Sequence, residues 1–276
     1  MKTNYQILKL IMFFYLALSP NIIGQTNEIG LFAGGTLFHG DVGGNQIESI
    51  QNTTKPTLGI TYKKNINYYL SIDLTIKRGE IYANDQNSND PFKTKRNLSF
   101  KSNITEIGII AELNFRPYLS RDENYQKTPC MFIGLSQFIF NPKGQDSEGA
   151  WHNLMAIGTE GQQSDMYPGR SPYKLHGIAI PFGLGYKIRA SNFITVNINL
   201  GWRLTFTDYI DDVSTTYVDE NILNELGTEL ADKSYSGMVE GFQRGNPFNN
   251  DKFGFFGVSI LYSIKDLVEE CDNIVF

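Results

Sequence analysis

Two cysteines and three histidines are all the thiol and imidazole groups that 276 residues supply. Cys130 and Cys271 stand singly, with no second ligand at zinc spacing, so a structural zinc cage is excluded. Export would permit a disulfide between them, but they lie far apart in the chain and nothing in the sequence brings them together. Basic residues are also in deficit. The chain has 24 Lys and Arg against 29 Asp and Glu, a net charge of -5, and carries no basic stripe or nucleic-acid motif. Nucleic acid is therefore excluded as a partner. Beyond the first twenty-odd residues no apolar run approaches the roughly 20 that a membrane-spanning helix needs.

Residues 1–25 have the parts of a secretory signal. Lys2 and Lys9 give the positive start, Leu10 to Leu18 the apolar stretch, Ser19-Pro20 the break and Ile23-Gly24-Gln25 a small-residue cleavage context. The apolar stretch is too short for an anchor helix, and no cysteine near the cut offers a lipid attachment point.

What the chain has in abundance is alternation. Ile194-Thr-Val-Asn-Ile-Asn-Leu-Gly-Trp-Arg-Leu204 is apolar at every even position and polar or small at every odd one. Successive side chains of a strand point to opposite faces, so one face is apolar throughout. Eight such segments run near 28–38, 56–66, 67–78, 104–116, 129–140, 176–188, 193–206 and 253–264. Each reaches the roughly 9–11 residues of a tilted membrane strand. Tight links at 66–67 and 189–192 and an intermediate one at 117–128 alternate with long ones at 39–55, 79–103, 141–175 and 207–252. This predicts an all-β fold: an eight-stranded antiparallel up-and-down transmembrane β-barrel over residues 26–264, with short periplasmic turns and long extracellular loops. A tail, 265–276, follows on the periplasmic side.

Face assignment sharpens the expectation. Leu70, Ile72, Leu74 and Ile76, then Ile107, Ile109 and Leu113, then Ile178, Ile180, Phe182, Leu184, Tyr186 and Ile188, then Val258, Ile260 and Tyr262 should meet lipid. The opposite faces carry Asp73, Thr75 and Lys77, then Glu106, Glu112, Asn114 and Arg116, then Gly183, Gly185 and Lys187. A narrow barrel filled by ion-paired side chains, with no aqueous channel, is expected. A soluble lipocalin-like barrel would reverse the two faces. Phe32, Phe38, Phe132 and Phe138 interrupt the alternation and leave the first and fifth strands ambiguous.

Few segments point to chemistry. The acidic run Asp208 to Val213, with Asp219 beyond, offers oxygen ligands for a hard cation but lacks the glycine turn and spacing of an EF-hand. A loop root ordered by hydrogen bonds and by basic residues such as Arg203 is the preferred reading. His39, His152 and His176 lack a Gly-x-Ser-x-Gly context, although Ser171 lies near His176. The glycine-rich Gly34 to Gly44 segment precedes a strand rather than a helix, so it is read as structural rather than as a phosphate cradle. No catalytic residue, cofactor or metal is expected.

Several segments together resemble one family. They are Glu28-Ile-Gly-Leu-Phe-Ala-Gly-Gly35 with Gly40-Asp-Val-Gly43, Trp151 to Gln162, Phe206 to Asp219 and Arg244-Gly-Asn-Pro-Phe-Asn-Asn-Asp251. As an ordered set these resemble the PorG-type outer-membrane barrel of the type IX secretion and gliding machinery. The resemblance implies a non-enzymatic barrel, embedded in outer-membrane lipid, that anchors or stabilises a periplasmic ring built from a lipoprotein and its partner protein. Other readings are a lipid- or lipopolysaccharide-modifying barrel enzyme with one of the histidines as base, and an OmpA-like surface or adhesion barrel. On the periplasmic side, topology leaves two candidate contact segments. One is the 117–128 turn with Arg121, Asp122, Glu123 and Lys127. The other is the 265–276 tail with Leu267, Val268, Cys271 and Phe276.

Overall fold

A computed structural model describes residues 26–44, 53–119, 126–234, 237 and 239–264. Eight long strands form the wall: β1 (Thr26–His39), β2 (Pro56–Asn65), β3 (Leu70–Asn84), β4 (Ser99–Asn114), β5 (Lys127–Ile139), β8 (His176–Arg189), β9 (Ile194–Thr205) and β10 (Lys252–Ile264). Two short strands, β6 (Pro142–Gln145) and β7 (Trp151–Asn153), lie between β5 and β8. Each long strand pairs antiparallel with the next, and β10 returns to β1 with Ile29 opposite Tyr262 and Phe38 opposite Phe253. The ring is closed, so the wall has no open edge, as a sheet crossing lipid requires.

The short turns are made by side chains that replace missing backbone bonds. Asn67 Oδ1 accepts from the N–H groups of Tyr69 and Leu70 at 2.8 and 2.9 Å. At the β8–β9 turn, Ser191 Oγ accepts from Phe193 and Ile194 while Ala190 N–H donates to Ile194 O at 2.8 Å. Around these turns Tyr62, Tyr69, Phe115, Tyr186, Phe193 and Tyr262 stand exposed, with Phe193 stacked beside Tyr262 at 6.2 Å. This is an aromatic girdle at one membrane interface.

Above the girdle the outer face is aliphatic: Ile29 and Leu31, Leu58 and Ile60, Leu74 and Ile76, Ile107 and Ile109, Ile133 and Leu135, Leu184, Ile198 and Leu200, and Ile260 are all exposed. A belt of this kind on a closed antiparallel barrel is the surface of an outer-membrane protein. The ambiguous phenylalanines resolve in favour of strict alternation. Phe32 and Phe138 are buried inside, and the Phe132 ring lies over Gly183 and Gly201, where a Cβ on either glycine would meet it at about 2.6 Å. Aromatic rings thus fill space that facing glycines leave open.

The hairpin β3–β4 runs further than the alternation predicts, to Asn84 opposite Ser99. Beyond Ile76 and Ile107 its outer positions turn polar (Arg78, Glu80, Asn103 and Lys101), so the lipid-facing period disappears. Its inner positions do the reverse: Ile81, Ala83, Phe100 and Ile104 are buried. The barrel therefore changes solvent along its axis, polar inside and apolar outside in lipid, apolar inside and polar outside above it. The expected ion-paired interior holds for the membrane half only. The upper half encloses a core of Phe32, Phe138, Phe140, Phe253 and Phe255 with loop residues Val42, Leu154, Ile210, Val213 and Leu230.

The long loops carry structure that hydrophobic period did not reveal. Helix α1 (Pro91–Arg96) starts at Asp90, whose side chain accepts from Phe92 N–H, and stops at Asn97 in the left-handed region, φ 59. Helix α2 (Leu154–Ile157) follows β7, and α3 (Glu225–Ala231) is capped by Asn224. The β6–β7 hairpin is tied by Asp146, which accepts from Glu148 and Ala150 N–H.

Candidate functional site

The lumen has two charged clusters. Nearer the periplasmic end, Lys63 Nζ meets Asp73 Oδ2 at 2.9 Å and Glu112 Oε1 at 2.5 Å, Lys187 pairs with the same Glu112, and Asn197 donates to Glu112 Oε2 at 3.2 Å. Further up, Arg203 grips Glu106 with two bonds of 2.9 and 3.0 Å, Ser136 adds a third at 3.2 Å, and the guanidinium lies 4.4 Å from the Phe255 ring centre. Between the clusters is a cavity of about 30 Å³ lined by Thr75, Lys77, Phe132, Asn199 and Arg203. That holds a water or two and is no conduit. Arg116, expected in the lumen, is exposed instead, because β4 ends at Asn114 and the chain has already turned.

The periplasmic mouth is corked by a residue the alternation did not flag. Tyr118 is 1 % exposed. Its hydroxyl shares a 2.8 Å hydrogen bond with Thr195 Oγ1, its N–H donates to Tyr68 O at 2.9 Å, and Lys187 Nζ sits 5.3 Å from its ring centre. Burial raises its hydroxyl pKa well above the usual tyrosine range. Of the expected contact residues, Lys127 is exposed at the first position of β5. Arg121, Asp122, Glu123, Leu267, Val268, Cys271 and Phe276 lie outside the described residues, as do the signal segment 1–25 and the whole tail. Cys130 is buried in the lumen, 3.6 Å from Glu112 Oε2.

The outer mouth is closed by a cap built on buried ion pairs. Arg96, at the end of α1, holds Asp85 with bonds of 2.7 and 2.9 Å and donates to Asp41 O at 2.7 Å and to Arg244 O. Arg244 in turn holds Glu160 at 3.0 Å and donates to Asp212 O at 2.7 Å and Ala231 O at 3.2 Å. Glu160 collects Ser214 N–H, Thr215 N–H and Thr215 Oγ1. Two arginines thereby join the loops after β1, β3, β7 and β9 into one body. Glu160 belongs to the Trp151–Gln162 segment noted above and Arg244 to the Arg244–Asp251 segment, whereas Arg96 and Asp85 lie in none of the segments singled out from the sequence.

The acidic run is divided by the fold. Asp212 turns to Thr159 and Tyr173, at 2.5 and 2.6 Å. Burial lifts its pKa to about 6 although Arg244 pulls the other way. Asp219 caps a single helical turn through Asn221 N–H. Asp208 and Asp211 instead join Asp41 and Asp251. Burial, reinforced by neighbouring carboxylates, pushes Asp208 to about 8 and Asp211 to about 7 and raises Asp251 well above its ordinary value. The Ser214 hydroxyl only partly offsets this at Asp208.

The histidines stand on three different strands: His39 ends β1, His152 lies in β7 and His176 opens β8. His152 Nε2 lies 2.6 Å from Asp146 Oδ2, an orienting pair on the outer hairpin. Ser171, near His176, is exposed on the preceding loop.

Residues 6–157 match the model of the domain of unknown function DUF6089, more than half of the chain, and the protein belongs to that family. No curated protein matches the sequence. Among solved structures the chain is similar to Ail, the attachment invasion locus protein of Yersinia pestis, in complex with the heparin analogue sucrose octasulfate. That match has 5 % identity, covers 88 % of this chain and 100 % of that one, and has a TM-score of 0.42. It is also similar to Neisserial surface protein A (10 %, covering 87 % and 99 %, TM-score 0.40) and to the outer membrane protein OprG from Pseudomonas aeruginosa (8 %, covering 88 % and 98 %, TM-score 0.41).

Proposed function

We propose that this barrel is a structural, non-catalytic component of the type IX protein secretion and gliding machinery, anchoring or stabilising its periplasmic ring. The observation that carries the reading is the double closure of the lumen. Tyr118 stops one mouth, the Arg96–Arg244 cap stops the other, and ion pairs fill the space between. A barrel that conducts nothing acts through its surfaces. The ordered set of segments that resembles the PorG-type barrels implies the partners of this proposal: the ring lipoprotein and its companion protein. The histidines, spread over three strands, give the enzyme reading no convergent nucleophile, base and orienting group.

The test is recovery of the tagged barrel from native membranes after mild crosslinking. The ring lipoprotein and its partner should co-purify. A chain lacking residues 265–276, or one with Arg121, Asp122, Glu123 and Lys127 neutralised, should insert normally and recover less ring. A wild-type barrel that brings down no ring protein overturns the reading.

One observation favours the surface-barrel alternative. Phe248 is 96 % exposed on the cap, and Phe242 and Val239 are exposed near it in sequence. If the role lies outside the cell, polar substitution of these three abolishes it while ring recovery is unchanged.

A further inference from the structure

Four carboxylates, those of Asp41, Asp208, Asp211 and Asp251, lie near enough to feel one another's charge where the root of the cap meets the barrel rim, without converging on one point. Asp211 Oδ2 accepts from Val42 N–H, next to Asp41, at 2.9 Å. Asp251 Oδ2 accepts from Ile210 N–H at 2.8 Å, and its own N–H donates to Thr207 O, next to Asp208, at 3.0 Å. Few donors remain for the other oxygens. Val42 and Val213 satisfy both oxygens of Asp211, and Asn246 N–H reaches Asp41 Oδ2 at 2.6 Å. Oδ1 of the fully buried Asp251 has no hydrogen-bond partner, and the Asp208 carboxylate, 6 % exposed, has no donor beyond the Ser214 hydroxyl.

The nearby cations are committed elsewhere. Arg96 serves Asp85, Arg244 serves Glu160 and Asp212, and Lys93 donates to Gly43 O at 2.8 Å. Buried anionic oxygens without donor or counter-charge are costly, and in folded proteins they point to an ion or water that completes them. The backbone around them leaves room. A Cβ at Gly40 would stand 2.2 Å from Asp251 Oδ1, and one at Gly245 would stand 2.5 Å from Asp41 Oδ2.

We propose that Asp208 and Asp251 form the protein half of a binding site for a hard divalent cation, calcium, at the outer rim of the barrel. Carboxylate oxygens short of donors are the ligand type calcium takes, and Asp41 and Asp211 add negative potential without spending their own hydrogen bonds. Among the described residues no three Asp, Glu, His or Cys side chains converge to form a cage. The ion therefore keeps water in its remaining positions, which places affinity in the weak range of extracellular calcium modules, a dissociation constant of about 10⁻⁴–10⁻³ M. Binding fastens the β9–β10 loop to the end of β1, so the cap stiffens where calcium is plentiful.

The experiment uses the full barrel in detergent micelles, with terbium as probe and calcium as competitor. Tyr209, adjacent to Asp208 and stacked on Tyr173 at 4.7 Å, serves as the sensitiser. The expected result is saturable terbium luminescence displaced by calcium, at least tenfold weaker binding in Asp208→Asn with Asp251→Asn, and slower proteolysis of the cap when calcium is added to wild type. Heat-modifiable gel mobility establishes that the double variant remains a folded barrel. Should that variant misfold, Gly40→Ala, which fills the space beside Asp251, must weaken calcium competition in its place. Equal binding by wild type and folded variants, or cap protection that depends on pH and ignores calcium, overturns the proposal.

Discussion

The Tyr118 hydroxyl lies 2.8 Å from Thr195 Oγ1, a contact between the β4–β5 turn and the start of β9 that closes the periplasmic mouth from 77 residues away in sequence. It shows why Thr195 is no ordinary lumen position. Alternation places Thr195 inside, where polar exchange should be tolerated, but here it holds the cork. Tyr118→Ala should destabilise the barrel by about 3–5 kcal/mol through the lost ring. Tyr118→Phe should cost about 1 kcal/mol, the value of one hydrogen bond. Urea titration of the barrel in lipid vesicles separates the two, and equal effects would show that the hydroxyl and ring contacts are wrongly apportioned.

Arg203 and Glu106 make the second prediction. Both are fully buried, so removing one leaves the other charge alone in the lumen. Arg203→Met should cost about 3–5 kcal/mol, whereas Arg203→Met with Glu106→Leu should recover most of the loss. A double variant as unstable as the single would mean that packing against Phe255, rather than charge, holds Arg203 in place.

Strands were legible because lipid demands an unbroken apolar face, and the period of two follows from geometry alone. The reading failed where that demand ends. At Arg78 and Lys101 the hairpin leaves lipid, its outer face turns polar, and the sequence no longer announces a strand although the pairing continues to Asn84 and Ser99. Phe32, Phe132 and Phe138 obscured their strands because an apolar ring over a facing glycine looks, in one dimension, like a broken alternation. The cap was least legible. Arg96, Glu160 and Arg244 are fixed by contacts across as many as 148 residues, and a single buried ion pair leaves no periodic trace.

The lipid face gives a third prediction. Ile198 points outward near the middle of β9 and its neighbour Asn199 points into the lumen beside the small cavity. Ile198→Arg should destabilise by about 2–4 kcal/mol if the site lies near the bilayer midplane. Asn199→Ser, which enlarges a space already wide enough for water, should change stability by less than about 1 kcal/mol. Equal sensitivity at the two positions would be incompatible with the assigned faces.

The last prediction concerns whether the cap moves as one body. The Arg244 guanidinium joins Glu160, Asp212 and Ala231 and its backbone carbonyl receives Arg96, so this one residue links the loops after β7 and β9 to the loop after β3. None of these contacts lies within the lipid-facing wall, whose closure depends on strand pairing alone. Arg244→Ala should therefore leave the barrel inserted and heat-modifiable on gels while exposing cap segments around 158–170 and 215–250 to protease. Glu160→Gln keeps most acceptor geometry but removes the charge, and should give an intermediate rate of cleavage, since bonds to a charged group are worth about 1.5–3 kcal/mol and neutral ones less. Cleavage confined to one loop in Arg244→Ala would show that the loops are held independently, and unfolding of the wall with the cap would show that the two halves of the barrel are one cooperative unit.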